Sequence, residues 1–230
     1  MNVVTTKYEY YIDLLEDLTR SQQIADTTVI ICLSRTDFLS HVAAQIHRLS
    51  TSEQPEDAGS PGDLTADVTE SASSQHRFLV PTLQLLSVGQ HMRLAYCPNI
   101  PSLRAYLSTY GSQQESTAPS RSRLIIVDLL ALHHGTSEFT LQGLSRTLAT
   151  AVSVASSASS DLALTECKDI RDPTHPDRGS RLWEAQVPLL SGSVRIGLEG
   201  SRWSGRALTI RKIASRWFQI EDEPRRGTAS

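Results

Sequence analysis

Residues 124–128 read Leu124-Ile125-Ile126-Val127-Asp128, four aliphatic residues closed by an acid. A continuous β-branched run of this kind marks a strand of a parallel sheet covered on both faces, because a half-exposed strand would alternate apolar with polar. Working outward, Thr28-Val29-Ile30-Ile31-Cys32-Leu33 is a second such run, and Met92 to Cys97 and Asp161 to Cys167 are two more. Between them the apolar period switches to that of helices. Phe38, Leu39, Val42, Ile46 and Leu49 form a stripe after a possible N-cap at Ser34 or Thr36. Pro81 opens a helix that ends at Gly89, Pro101 opens another through Leu103, Tyr106 and Leu107, and Ser137 starts a long one through Phe139, Leu141, Leu144, Leu148 and Val152. Strand and helix in alternation predict an α/β fold with a mainly parallel core flanked by helices.

The two ends depart from this rhythm. Tyr8, Tyr11, Ile12, Leu15 and Leu18 predict a leading helix over residues 3–25. Beyond Trp183, the alternating stretches Ser193–Leu198, Arg206–Arg211 and Arg216–Ile220 predict an antiparallel β-meander that completes a mixed sheet. Residues 51–75 carry six acids and no base among Ser, Thr, Gly and Pro, a composition that buries too little apolar surface to order itself. They read as a disordered acidic insertion, 111–122 as a polar loop and 222–230 as a flexible tail, leaving one domain over 1–221.

A formal net charge of −3 removes any whole-chain attraction to nucleic acid or anionic lipid, so contact with a polyanion has to be local. The N-terminal residues lack the pattern of a signal peptide, and no apolar stretch reaches 18 residues, so no membrane partner is expected. Three widely spaced cysteines point to a reducing compartment, the nucleus or alternatively the cytoplasm. Cys32, Cys97 and Cys167 each stand at or near a strand end, so a parallel sheet can gather them along one edge, either as small core fillers or, with His133 or His134, as metal ligands. No C-x-x-C or H-x-x-x-H spacing supports the metal, and G-x-S-x-G is absent, which leaves a Ser-His-Asp hydrolase unsupported.

Parallel β/α units, a hydrophobic strand ending in Asp128, a long following helix and closing antiparallel strands resemble the order of elements in RecA-like ATPases, over roughly residues 25–221. Within these the organisation is most similar to the small recombinase paralogues and Shu-type accessory proteins. In such ATPases the turn after the first strand is the phosphate cradle G-x-x-x-x-G-K-[ST]. Here that place reads Cys32-Leu33-Ser34-Arg35-Thr36-Asp37-Phe38, with no glycine, no lysine and an acid that repels phosphate. The resemblance therefore implies a degenerate, non-catalytic fold without cofactor. Asp128 falls at the Walker-B-like position, where an acid organises Mg²⁺, or else it simply faces solvent or caps the next turn at the end of a buried strand. Gln142 and Arg146 would flank the same area.

Arg195, Arg202, Arg206, Arg211, Lys212 and Arg216 lie close together with Trp203 and Trp217 and only Glu199 against them. Guanidinium forks pair with phosphates and indoles stack on bases, so these are candidates for contact with single- or double-stranded DNA; the alternative is a charged edge with its tryptophans in the core. The resemblance implies an accessory subunit of homologous-recombination DNA repair that pairs with a RecA-like paralogue or recombinase. Alternatives are a structural subunit of a RecA-like ring such as the Elongator accessory complex, and an α/β enzyme of another class using Asp128 or the cysteine edge.

Overall fold

The computed structural model describes residues 1–21, 25–52, 76–110, 122–175, 177–188 and 207–221. Among the described residues, eight strands are β1 (Asn2–Thr5), β2 (Thr27–Ile31), β3 (Met92–Tyr96), β4 (Arg123–Val127), β5 (Asp161–Thr165), β6 (Gln186–Pro188), β7 (Ala207–Thr209) and β8 (Gln219–Glu221). The helices are α1 (Tyr11–Arg20), α2 (Arg35–Ser52), α3 (Leu83–Gln90), α4 (Ile100–Tyr110), α5 (Leu129–His133), α6 (Leu141–Ser157) and α7 (Ile210–Ala214). Six strands form one sheet in the order β3-β2-β4-β5-β1-β8, with every neighbouring pair parallel. The chain is thus an α/β protein, as the apolar runs predict.

Alternation of side chains sorts the strands into two cores. Ile30, Leu124, Ile126, Leu162 and Leu164 point to one face, where they pack with Leu103 and Leu107 of α4 and Leu144 and Leu148 of α6. Val29, Ile31, Ile125 and Val127 point to the other, against Tyr11, Leu14 and Leu18 of α1 and Phe38 of α2. Each central strand is buried on both sides, which is why its sequence is continuously apolar.

Helix starts follow local hydrogen bonding. Ser34 caps α2, its hydroxyl accepting from the Asp37 amide at 3.1 Å. Asp13 closes the first turn of α1 by accepting from the amides of Tyr10 at 2.8 Å and Glu9 at 3.1 Å. Thr82 and Thr140 cap α3 and α6 in the same manner.

Several expectations are corrected. The leading helix is shorter, α1 alone, and is preceded by β1, which sits between β5 and β8 far from its sequence neighbours. Gly89 lies inside α3 rather than beyond it, and the long helix starts after Thr140 with the short α5 before it. The meander resolves differently too. The antiparallel strands are a separate pair, β6 with β7, and residues 210–214 turn into a helix because Thr209 caps the Lys212 amide at 3.4 Å while Ile210, Ile213 and Ala214 bury one helical face. β8 then returns parallel to β1. The Ser193–Leu198 stretch, the acidic tract beyond Ser52, residues 111–121 and the tail lie outside the described residues, whereas Thr51 and Ser52 continue α2.

Candidate functional site

The chain enters the sheet centre at β2, moves outward to β3, then crosses back to β4 and on to β5. Helices after β2 cover one face and those after β4 the other, so the connections part at the carboxyl ends of these two adjacent strands. In doubly wound sheets that is the switch point where ligands bind.

Strand register sets four reactive side chains in a single row across this crest. Ile31 pairs with Tyr96 and with Val127, and Val127 with Thr165, so the next residue of each strand continues the row as Cys97, Cys32, Asp128 and Glu166. Backbone bonds hold it: Cys97 donates to the Ile31 carbonyl at 2.9 Å, Cys32 to Val127 at 3.0 Å and Asp128 to Thr165 at 2.9 Å. All four are buried.

Asp128 adopts a left-handed backbone with φ 62°, which bends the chain sharply from β4 into α5. Its carboxylate is fully enclosed. One oxygen accepts from the Cys167 amide at 2.8 Å, and the other from the Tyr11 hydroxyl and from Arg178 Nη1 at 3.1 Å. Neither way of leaving the strand that the sequence suggests is realised: Asp128 does not face solvent, and its side chain makes no capping bond to α5. Glu166 does that instead, accepting from the amides of Leu130 at 2.7 Å and Ala131 at 3.2 Å.

Burial raises the pKa of both acids, that of Glu166 well above the carboxylate range with the Asp128 charge pushing the same way. Tyr11, Arg178 and the Cys167 amide pull Asp128 back toward its anion. Of the two, Glu166 is pushed further toward its protonated form. Burial and the same anion raise the Tyr11 hydroxyl, which stays a donor. His41 sits edge-on to the Tyr11 ring at 5.8 Å, with Nδ1 3.4 Å from Asp169, and burial holds it below its usual value as a neutral imidazole.

Arg178 reaches Asp128 from the loop after β5, and its side chain is 23% exposed. The next residue, Gly179, has φ 76° and ψ −171°, a region open essentially to glycine alone, and an added Cβ would lie 2.7 Å from Lys168 Cγ. Gly179→Ala is expected to destabilise the chain by about 1–3 kcal/mol, measured as a fall in the urea midpoint at unchanged slope; an unshifted midpoint would show that the loop does not need this conformation.

This arrangement does not fit a Mg²⁺–triphosphate group. Three donors from the chain occupy most of the roughly four acceptor positions of the Asp128 carboxylate, and the cation beside it is Arg178. Across the switch point, Ser34 and Asp37 are bonded to each other at 2.6 Å, putting a carboxylate in the first turn of α2.

The other predicted residues are dispersed. Arg195, Arg202 and Arg206 lie outside the described residues. Arg211 on α7 is half-buried and ion-paired to Glu184 at 2.5 Å; Lys212 is exposed, and Arg216 is exposed over the Trp217 ring at 5.6 Å. Trp217 packs against the core as a filler. Gln142 and Arg146 are exposed on α6. His133 is buried between the Leu129 carbonyl at 2.9 Å and Thr147 Oγ1 at 3.1 Å, and His134 faces Asp177 at 3.5 Å. No three His, Cys, Asp or Glu side chains among the described residues are grouped to hold a metal. Cys32 and Cys97 do share an edge and a face, whereas Cys167 points to the opposite core.

Sequence reading missed Glu166, Tyr11 and Arg178. Glu166 carried one usable signal, since an acid at the exit of a predicted strand mirrors Asp128. Tyr11 lay within an amphipathic helix and Arg178 within a polar loop, with nothing local to single them out.

Residues 17–175 match the model of a protein family described as SPAC22G7.03-like. No curated protein and no solved structure matches the chain.

Proposed function

The chain belongs to the SPAC22G7.03-like family, and from the order of its elements and the geometry of the switch point we propose that it is a non-catalytic accessory subunit of the RecA-like kind, which pairs with a similarly folded subunit and assists a recombinase on DNA in homologous-recombination repair. The observation that carries the non-catalytic part is the Asp128–Arg178 pair: the acid at the Walker-B-like position is neutralised by the chain's own cation. Assembly is supported at the other end of the sheet. β3 is an edge strand that pairs only with β2 among the described strands, and exposed apolar side chains lie on or just before it: Leu79, Val80, Leu83 at 87%, Leu86 and Leu94. Open edges with apolar neighbours are surfaces that a second sheet can extend. Contact with DNA is supported by Lys212 and Arg216, both exposed and four positions apart after β7, the first on α7 and the second just beyond it.

The test uses the purified full chain. We expect no Mg²⁺-dependent ATP turnover, recovery of a RecA-like partner from the native cell, and weaker binding to single-stranded DNA when Lys212 and Arg216 are both changed to glutamate. The loss should be about tenfold at 0.15 M salt, the scale set by two phosphate contacts. Equal affinities for wild type and double variant would remove the direct DNA role, and sustained ATP turnover would remove the whole reading. The same edge strand also suits a structural subunit of a RecA-like ring of the Elongator accessory type; co-purification with several like-folded ring subunits instead of a recombinase would select that alternative.

A further inference from the structure

Two cysteines stand side by side where the switch point opens. Cys32 and Cys97 are consecutive to Ile31 and Tyr96, which are register partners in β2 and β3, and the Cys97 amide bonds to the Ile31 carbonyl at 2.9 Å. Neighbouring parallel strands lie about 4.8 Å apart, inside the span of about 4.4–6.8 Å between Cα atoms that a disulfide bridges. Register alone leaves the direction of the side chains open, and packing decides it: both thiols belong to the core formed with α4 and α6. Cys167 belongs to the core on the other side of the sheet. Of the three possible pairings, the fold thus presents one.

We infer that Cys32 and Cys97 form a dithiol that closes to an intramolecular disulfide under a peroxide-class oxidant, cross-linking the carboxyl ends of β2 and β3. The two thiols are not equivalent. Burial holds the Cys32 thiol well above the ordinary range, with the negative charge of the neighbouring acid pair adding to it. Cys97 lies just before α4; burial raises its thiol too, and Ser102 in the first turn of that helix pulls it part of the way back. A neighbouring helix N-terminus also favours a thiolate. Cys97 is therefore the sulfur that meets the oxidant. Its thiolate attacks one peroxide oxygen, an S–O bond forms, the O–O bond breaks and water leaves, giving a sulfenic acid. The Cys32 sulfur then displaces that oxygen as a second water while the S–S bond forms. Two thiols lose two electrons, and one peroxide becomes two waters.

Both sulfurs are buried, each only 2% exposed, which admits small oxidants and excludes bulky disulfides such as glutathione disulfide. The folded full chain is exposed to hydrogen peroxide, its remaining thiols are alkylated after unfolding, and it is digested with trypsin without reduction. Cys32 falls in the tryptic peptide 21–35, Cys97 in 94–104 and Cys167 in 147–168. The expected product joins 21–35 to 94–104, lighter by two hydrogen atoms than their sum, with Cys167 recovered alkylated. Cys97→Ser should abolish the link without diverting Cys32 to Cys167, and Cys167→Ser should leave it intact. Recovery of Cys32 and Cys97 as separate alkylated thiols, a Cys32–Cys167 link, or a Cys32–Cys97 link that arises only in urea would each overturn the inference.

Discussion

Replacing Arg178 with methionine is expected to lower the stability of the chain by about 3 kcal/mol, at the lower end of what removing one partner of a buried ion pair removes. Asp128 is fully enclosed, and its two remaining donors, the Tyr11 hydroxyl and the Cys167 amide, supply hydrogen bonds but no charge. Without the guanidinium, the carboxylate is left buried next to Glu166 and is forced either to take up a proton or to carry an uncompensated charge. Methionine keeps most of the stem volume, so the loss reports charge rather than packing. Urea unfolding at pH 7 measures it. Changing Asp128 to asparagine in the same chain should recover a large part of the loss, because the amide still accepts from Cys167 and no longer needs a cation. A drop below about 1 kcal/mol, in the range of an exposed ion pair, would mean that Arg178 is not the counter-ion of the site and would remove the main support for the non-catalytic reading.

The stability of the wild-type chain relative to Glu166→Gln should fall steadily as the pH is raised. Glu166 has its pKa raised in the fold above the ordinary value of 4.5. An acid raised in this way binds more protons when folded than when unfolded. Its contribution is complete below the unfolded value and is lost as the pH climbs toward the folded one. Glutamine has the shape of the protonated acid but only one oxygen to accept from the Leu130 and Ala131 amides, so near pH 4 the two chains should differ by a constant offset. Above that pH the glutamine chain should gain on wild type, with a slope approaching about 1.4 kcal/mol per pH unit, the limit for one proton. Urea midpoints at intervals from pH 4 to 8 give the curve. Parallel curves would show that Glu166 titrates alike in the folded and unfolded chain and that the fold does not hold its proton. Curves that diverge in the opposite sense would show the two backbone donors, Leu130 and Ala131, outweighing burial.

The dithiol and the acid pair occupy one register row, and this has a consequence for how they respond to change. A cross-link between Cys32 and Cys97 would stiffen β2 against β3, on the side of the switch point away from Asp128. Arg178 approaches from the other side, by the loop after β5. The acid pair and the thiol pair can thus be perturbed separately, and Arg178→Met is not expected to alter which peptides become linked.

Much of the candidate site was legible because strand ends can be read from where apolar runs stop. The runs ending near Cys32, Cys97 and Asp128 announced three of the four residues of the row. The acid's surroundings were not legible. Tyr11, Arg178 and Glu166 stand 117, 50 and 38 positions from Asp128 in the chain, and only chain folding brings them to one carboxylate.

By itself the amino-acid sequence determined the α/β class, the two-sided burial of β2 and β4 and most of the helices between strands, because these depend on periods of two and 3.6 residues that are local. Tertiary structure alone decided that Asn2–Thr5 is a strand inserted between β5 and β8, that Ile210–Ala214 is a helix and β8 parallel, and that two cysteines share one core while the third lies in the other. The physical reason is that strand pairing is non-local. A short segment such as Val3-Val4 has too little apolar surface to declare itself, and acquires its conformation from the backbone donors and acceptors of partners more than 150 residues away.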